Sequence, residues 1–162
     1  MASKKGIMIT GIILISITAA SFLLWLVPQD NQSTLVVSDY ENYLDGVNKI
    51  HQVLQESIEM EYQNLLDKKT SPDEYISITE VTSSQVTVQI SEFITSKPTE
   101  EWQNSYISYM EGLKKFNLYI IETKVAANML KNETIDEEIL QKIESLRTES
   151  QNLINKSFEL RP

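Results

Sequence analysis

The chain has 162 residues, with 14 Lys and Arg against 23 Asp and Glu and a formal net charge of −9. Lys4 and Lys5 precede an apolar run, so the remainder is more acidic still, and its longest basic runs are the pairs Lys68-Lys69 and Lys114-Lys115. That display is too sparse for the phosphate neutralisation on which nucleic-acid binding depends. Cysteine is absent, which excludes disulfides, thiolate metal sites, thiol nucleophiles and a lipid-modified N-terminal Cys.

Residues 6–27 carry no charge across 22 positions. At about 1.5 Å rise per residue such a helix crosses a hydrocarbon core of about 30 Å, so the segment is predicted to be a transmembrane anchor in contact with membrane lipid. The lysines sit before the run, while Pro28, Gln29 and Asp30 follow it. The positive-inside bias therefore predicts a single-pass protein of the cell membrane, with residues 1–5 in the cytoplasm and the C-terminal domain extracytoplasmic. Trp25 falls where an indole suits the headgroup level, and Pro28 is a helix stop. A cleaved signal peptide is the competing reading, on the small residues Thr18, Ala19 and Ala20. The apolar run is long for that role, and cleavage after Ala20 would leave residues 22–27 as an exposed apolar tail.

Residues 28–37 read as a linker. Ser38 and Glu41 then have the spacing of a capping box, in which two side chains satisfy orphan helix N–H groups reciprocally. Tyr40, Leu44, Val47, His51, Leu54, Ile58 and Leu65 follow at steps of three and four, with Glu61 the charged break, which predicts a helix over about 38–68. Ser71, Pro72, Asp73 and Glu74 combine an N-cap, Pro at the first helical position and a capping-box acid, starting a second helix over 72–96. Its body is rich in Thr, Val, Ile and Ser, and Val86, Val88 and Ile90 alternate as in a strand. A hairpin is the rival, but its only candidate turn, residues 82–85, has no Gly, Asn or Asp. Tyr75, Ile76, Val86, Ile90, Phe93 and Ile94 share one side of a helical wheel, and helix is the expectation.

Pro98 closes that segment, and Glu100 and Glu101 supply first-turn acids for a third helix over 98–131. Trp102, Tyr106, Tyr109, Leu113, Phe116, Ile120, Thr123, Ala127 and Leu130 keep four-three spacing through it, as a coiled-coil seam does. Thr134 and Glu137 repeat the capping-box spacing before Ile139, Ile143, Leu146 and Leu153, predicting a fourth helix over 135–159. With four Gly and four Pro in the chain, the fold class expected is all-α: an N-terminal transmembrane helix followed by an antiparallel four-helix bundle, up-down-up-down, over 38–162. That topology gathers Tyr40, Tyr43, Phe93, Trp102, Tyr106, Tyr109 and Phe158 at the membrane-proximal end. Leu65, Tyr75, Leu130 and Ile135 mark the other end.

His51 is the only histidine. A di-iron bundle needs two Glu-x-x-His pairs, Ser/His/Asp chemistry lacks a G-x-S-x-G turn, and covalent haem lacks C-x-x-C-H. A haem or copper site using His51 with Met60, Met110 or Met129 rests on one residue, and a satisfied or half-exposed histidine of the seam is the better account. Carboxylate runs such as Glu100 with Glu101, and Asp136 to Glu138, fall in first turns, where the helix dipole already explains them. No catalytic, cofactor-binding or metal residue is therefore assigned. Thr79, Thr82 and Ser83 form a small polar patch that could line a ligand cavity, although Ser and Thr also bond back to their own helix. Asn31, Asn132 and Asn155 head N-x-S/T sequons open to glycosylation on an outer face. The sequence thus points to a non-enzymatic, membrane-anchored, extracytoplasmic interaction or structural module with a protein partner in the envelope and no cofactor. The alternative is a ligand-sensing ectodomain that signals through a partner membrane protein.

Overall fold

The computed structural model describes residues 39–132 and 134–162. The predicted segments 1–5, 6–27 and 28–37, with Ser38 and the Asn31 sequon, lie outside the described residues. Four helices follow one another: α1 (Tyr40–Leu66), α2 (Pro72–Thr95), α3 (Glu100–Leu130) and α4 (Glu137–Glu159). Among the described residues there is no strand.

The helix starts follow local chemistry. At α2, Ser71 Oγ accepts the Glu74 N–H while a Glu74 carboxylate oxygen accepts the Ser71 N–H, the reciprocal box with Pro72 behind it. Ser71→Ala is accordingly expected to lower stability by about 1 kcal/mol in a urea titration. The other two expected boxes are replaced by aspartates. Asp39 caps α1, accepting the Asn42 N–H at 3.0 Å and the Asn42 side-chain amide at 2.6 Å. Asp136, not Thr134, caps α4, accepting the Glu138 N–H at 3.0 Å, and Glu137 becomes the first helical residue. Asp is at least as good an N-cap as Ser and better than Thr, and each lies closer to the apolar register that the helix must present.

α1 ends at a tight turn. Lys68 sits in the left-handed region (φ 58°), which lets the amides of Lys68, Lys69 and Thr70 reach back to the carbonyls of Leu65 and Asn64. An L side chain there costs about 1 kcal/mol, so Lys68→Gly is expected to raise the unfolding free energy by about 0.5 to 1 kcal/mol in the same assay.

The β-branched stretch of α2 is helical throughout. Thr79, Thr82 and Thr87 donate their hydroxyls to the carbonyls of Ile76, Ile78 and Ser83, at 2.7, 3.0 and 2.8 Å, so their polar atoms are satisfied without a sheet ladder. Tyr75, Val86 and Phe93 are buried, and Ile76 and Ile90 half-buried. Ile94 departs from the predicted face and is 65 % exposed. Phe93 takes the inward position, and the next residue turns by about 100°.

α3 is the centre, packing on each of the other helices. Its apolar seam, Tyr106, Tyr109, Leu113, Phe116 and Ile120, joins Leu44, Leu54 and Ile58 of α1, Val86 and Phe93 of α2, and Ile143, Leu146 and Ile154 of α4 in one core. Ring contacts link Tyr40 and Tyr43 to Trp102, Tyr106 and Phe93, and Tyr109 to Phe93 and Phe158. The beginnings of α1 and α3 thereby meet the endings of α2 and α4. A second cluster holds Leu65, Tyr75 and Ala127 with Tyr62, Ile76 and Leu130 around it.

The contacts of α3 with α4 and of α1 with its neighbours differ in kind. Ser105 and Ser108 of α3 donate to the carbonyls of Ser157 and Leu153, and Ser150 of α4 donates to that of Gly112, all at 2.8–2.9 Å. Such bonds require closely approaching backbones. At Gly112 an added Cβ would lie 2.6 Å from Ile154 Cγ1 and 3.2–3.3 Å from the Ile154 nitrogen and Ser150 oxygen. Near this end of α4, Ile154 lies in the core in place of the half-buried Leu153 expected from spacing. α1 instead packs through aliphatic and aromatic side chains, accepts longer bonds from the Tyr106 and Tyr109 hydroxyls at Tyr40 O and Asn48 Oδ1 (both 3.4 Å), and leaves His51 Nδ1 and Tyr62 Oη, with Gln89 Oε1 on α2, without a hydrogen-bond partner among the described residues. Its long-range ties to α4 and the residues just after it include ion pairs, Arg147 with Glu59 at 3.8 Å and Arg161 with Asp45 at 2.6 Å.

Candidate functional site

Three places carry chemistry beyond packing: a groove on α2, the buried His51, and the outer face of α3. The predicted patch of Thr79, Thr82 and Ser83 is divided by the fold. Thr79 and Thr82 are buried with their hydroxyls on carbonyls of their own helix, while Ser83 donates to Asn117 Oδ1 of α3 at 2.7 Å and joins the two helices.

The groove lies further along the same helix. Thr87, Val88, Ser91, Glu92 and Thr95, which recur at helical spacing, line an open hollow of about 390 Å³. Thr87 and Thr95 donate to the carbonyls of Ser83 and Glu92. Burial pushes the Glu92 carboxyl up to about 7, partly offset by the Tyr43 hydroxyl of α1 that faces it. The same carboxylate adds to burial in pushing the Tyr43 phenol above its ordinary value. Among the described residues that line it, the hollow holds one titratable group, Glu92, beside the hydroxyls of Thr87, Ser91 and Thr95. Sequence reasoning missed Glu92, whose signal was faint: a charged residue next to the inward Phe93.

His51 is 2 % exposed. Its ring meets the edge of Phe116 with centroids 4.6 Å apart and that of Tyr109 at 6.4 Å. Nδ1 has no hydrogen-bond partner among the described residues, and burial pulls the imidazole down to about 4. The side chain is thus a neutral imidazole set against aromatic rings at ordinary pH. Among the described residues no three His, Asp or Glu side chains gather as a metal-binding group. Glu61, the charged break in the α1 stripe, is buried and accepts the Thr70 hydroxyl at 3.1 Å. Asn132 lies exposed in the α3–α4 turn, and Asn155 is exposed on α4.

The outer face of α3 is the most extended feature. Ile107, Leu118, Ile121 and Val125 are each 37 to 48 % exposed. With Glu111 and Lys114, which pair at 2.7 Å, they occupy positions separated alternately by four and three residues, so they share one stripe of the helix. Bordering charges are held by neighbouring helices: Lys124 by Glu80 of α2, and Lys115 and Glu122 by Glu149 and Lys142 of α4. The sequence pattern named the inward stripe of α3 because its side chains are larger. The outward one is diluted by charges and needs a burial map to be seen. Among the described residues no helix is long and apolar enough to cross a membrane.

No family model matches the chain, and neither a curated protein nor a solved structure does.

Proposed function

We propose that the chain is a membrane-anchored, extracytoplasmic helical interaction module without catalytic activity. In this reading residues 6–27 form the anchor in membrane lipid, residues 1–5 are cytoplasmic, and an up-down-up-down bundle stands on the outer face with a protein partner in the envelope. The antiparallel order draws support from contacts joining Tyr43, in the first turn of α1, to Phe93 in the last turn of α2, and Ser105 and Tyr109, in the first third of α3, to Ser157 and Phe158 at the end of α4. The anchor rests on the uncharged run and on the lysines that precede it.

The observation that carries the interaction role is the exposed apolar stripe of α3, because a helix face of that length with no covering element among the described residues is what a partner helix or groove takes up. The test joins topology to contact. Protease added to intact cells should degrade the domain, and Leu118→Glu with Ile121→Glu should abolish cross-linking to the partner while leaving helical ellipticity unchanged. Protection of the domain until cells are permeabilised would invert the topology, and unaltered cross-linking would remove the stripe from the role. The groove beside Glu92 favours a second reading, a ligand-sensing ectodomain that signals through a partner membrane protein. That reading predicts a rise in melting temperature with a small molecule, lost in Glu92→Ala.

A further inference from the structure

The first turns of α1 are reached from just past α4 by Arg161. There the amides of Leu160 and Arg161 reach back to the carbonyls of Lys156 and Phe158 at 3.1 and 3.5 Å, a turn that sets the Arg161 guanidinium 4.3 Å over the Phe158 ring. From that seat it donates to Asp45 Oδ1 at 2.6 Å and lies 4.0 Å from Glu41, one turn earlier on α1. The Arg161 side chain is 17 % exposed, whereas the cations of the other ion pairs are 36 to 66 % exposed. A charge pair sheltered in this way is screened less by salt, and a planar fork already fixed on a ring loses little freedom when it pairs. The other directed contacts made to α1 by its neighbours are longer: 3.4 Å from the Tyr106 and Tyr109 hydroxyls and 3.8 Å from Arg147 to Glu59.

The other three helices are fastened to one another without α1. Ser83 of α2 bonds Asn117 of α3 at 2.7 Å, Glu80 and Asp73 of α2 pair with Lys124 and Lys131, and Ser150 of α4 bonds the Gly112 carbonyl. At its far end α1 passes into the short joint of residues 67–71, where Lys68 is left-handed. We infer that Arg161 is a latch on α1: while it holds Asp45 the helix lies shut against α2 and α3, and on release α1 swings out about the 67–71 joint with α2, α3 and α4 still packed. The movement bares Phe93, Tyr106 and Tyr109, which meet Tyr43, Tyr40 and Asn48 of α1 in the closed form. The domain thus has a closed and an open form, and an aromatic surface that belongs to the open one.

Native-state hydrogen exchange of the full-length protein distinguishes the two forms. Arg161→Gln should speed exchange of the α1 amides of Val47, His51 and Leu54 by roughly tenfold, while those of Leu113, Phe116 and Ile120 in α3 change by less than about twofold. Asp45→Asn should give the same pattern from the α1 side, and the two substitutions together should add little to either one alone. Lys156→Gln, which removes an exposed charge from the same end of α4, should alter neither set. Acceleration of both sets by one common factor would mean that the pair stabilises the bundle as a whole, and would overturn the latch. Unchanged α1 exchange in Arg161→Gln and Asp45→Asn would overturn it too, as would a double variant whose effect is the sum of the singles.

Discussion

Replacing Gly112 by leucine is expected to lower the unfolding free energy by roughly 3 kcal/mol or more. The reason lies in what touches Gly112. Any Cβ there must displace Ile154 Cγ1 and press on two backbone atoms of α4, and a β-branched isoleucine has few rotamers in which to retreat. The backbones must then separate, which lengthens the three serine-to-carbonyl bonds that span them, each contributing about 1 kcal/mol. Gly112→Ala gives a graded check. Helix propensity favours alanine by about 1 kcal/mol, the close contact opposes it by more, and a net loss of about 1 kcal/mol is expected. Adding Ile154→Val should recover part of that loss if the contact is its cause. A neutral Gly112→Leu in urea titrations followed by ellipticity would mean that the two helices are not held at this distance.

The second large effect is acid sensitivity centred on His51. Its folded-state value of about 4 lies below the ordinary 6.5 because burial penalises the imidazolium. The fold therefore prefers the neutral ring. Its contribution is complete above pH 6.5 and is lost as pH falls from there toward 4, amounting to roughly 3 kcal/mol. Glu92 slopes the other way. With its carboxyl raised to about 7 from 4.5, the fold prefers the protonated acid, and that contribution is present below pH 4.5 and lost as pH rises to 7. His51→Phe should keep the edge-on ring contacts and remove most of the acid-side loss, whereas Glu92→Gln should raise stability at pH 8 and leave the acid side steep. A difference in stability between pH 7.5 and pH 4 that His51→Phe leaves unchanged would contradict the buried neutral imidazole.

Much of the fold was legible because its signals are local. The Ser71 and Glu74 box, Pro72 and Pro98, and the inward stripes of α1 and α3 depend on spacing alone, and spacing is what a sequence displays. Asp39 and Asp136 displaced the expected caps because acceptors one and two residues apart compete for each helix start, and tertiary register decides between them. The threonines of α2 suggested a strand by composition and form a helix because each hydroxyl found a carbonyl one turn back. The tight contact around Gly112 was hidden, since a glycine within a helix reads only as a propensity cost. Its trace was the run of small residues Ser105, Ser108 and Gly112 opposite Ser150 and Ser157, which means nothing until the two helices are known to be neighbours. The α2 groove and the outer stripe of α3 were illegible for a related reason: both are defined by what the other described residues leave uncovered.

The unequal grip on the helices determines how the domain yields under tension. α3 and α4 are joined by hydroxyl-to-carbonyl links at close range, whereas α1 is held by aliphatic and ring packing, hydroxyl bonds of 3.4 Å and ion pairs. α1 is also the helix through which any pull on the preceding chain enters. A force applied there loads the weakest attachment first, so α1 strips away at low load while the α3–α4 pair holds, and stretching in an optical trap should record two steps with the smaller one first.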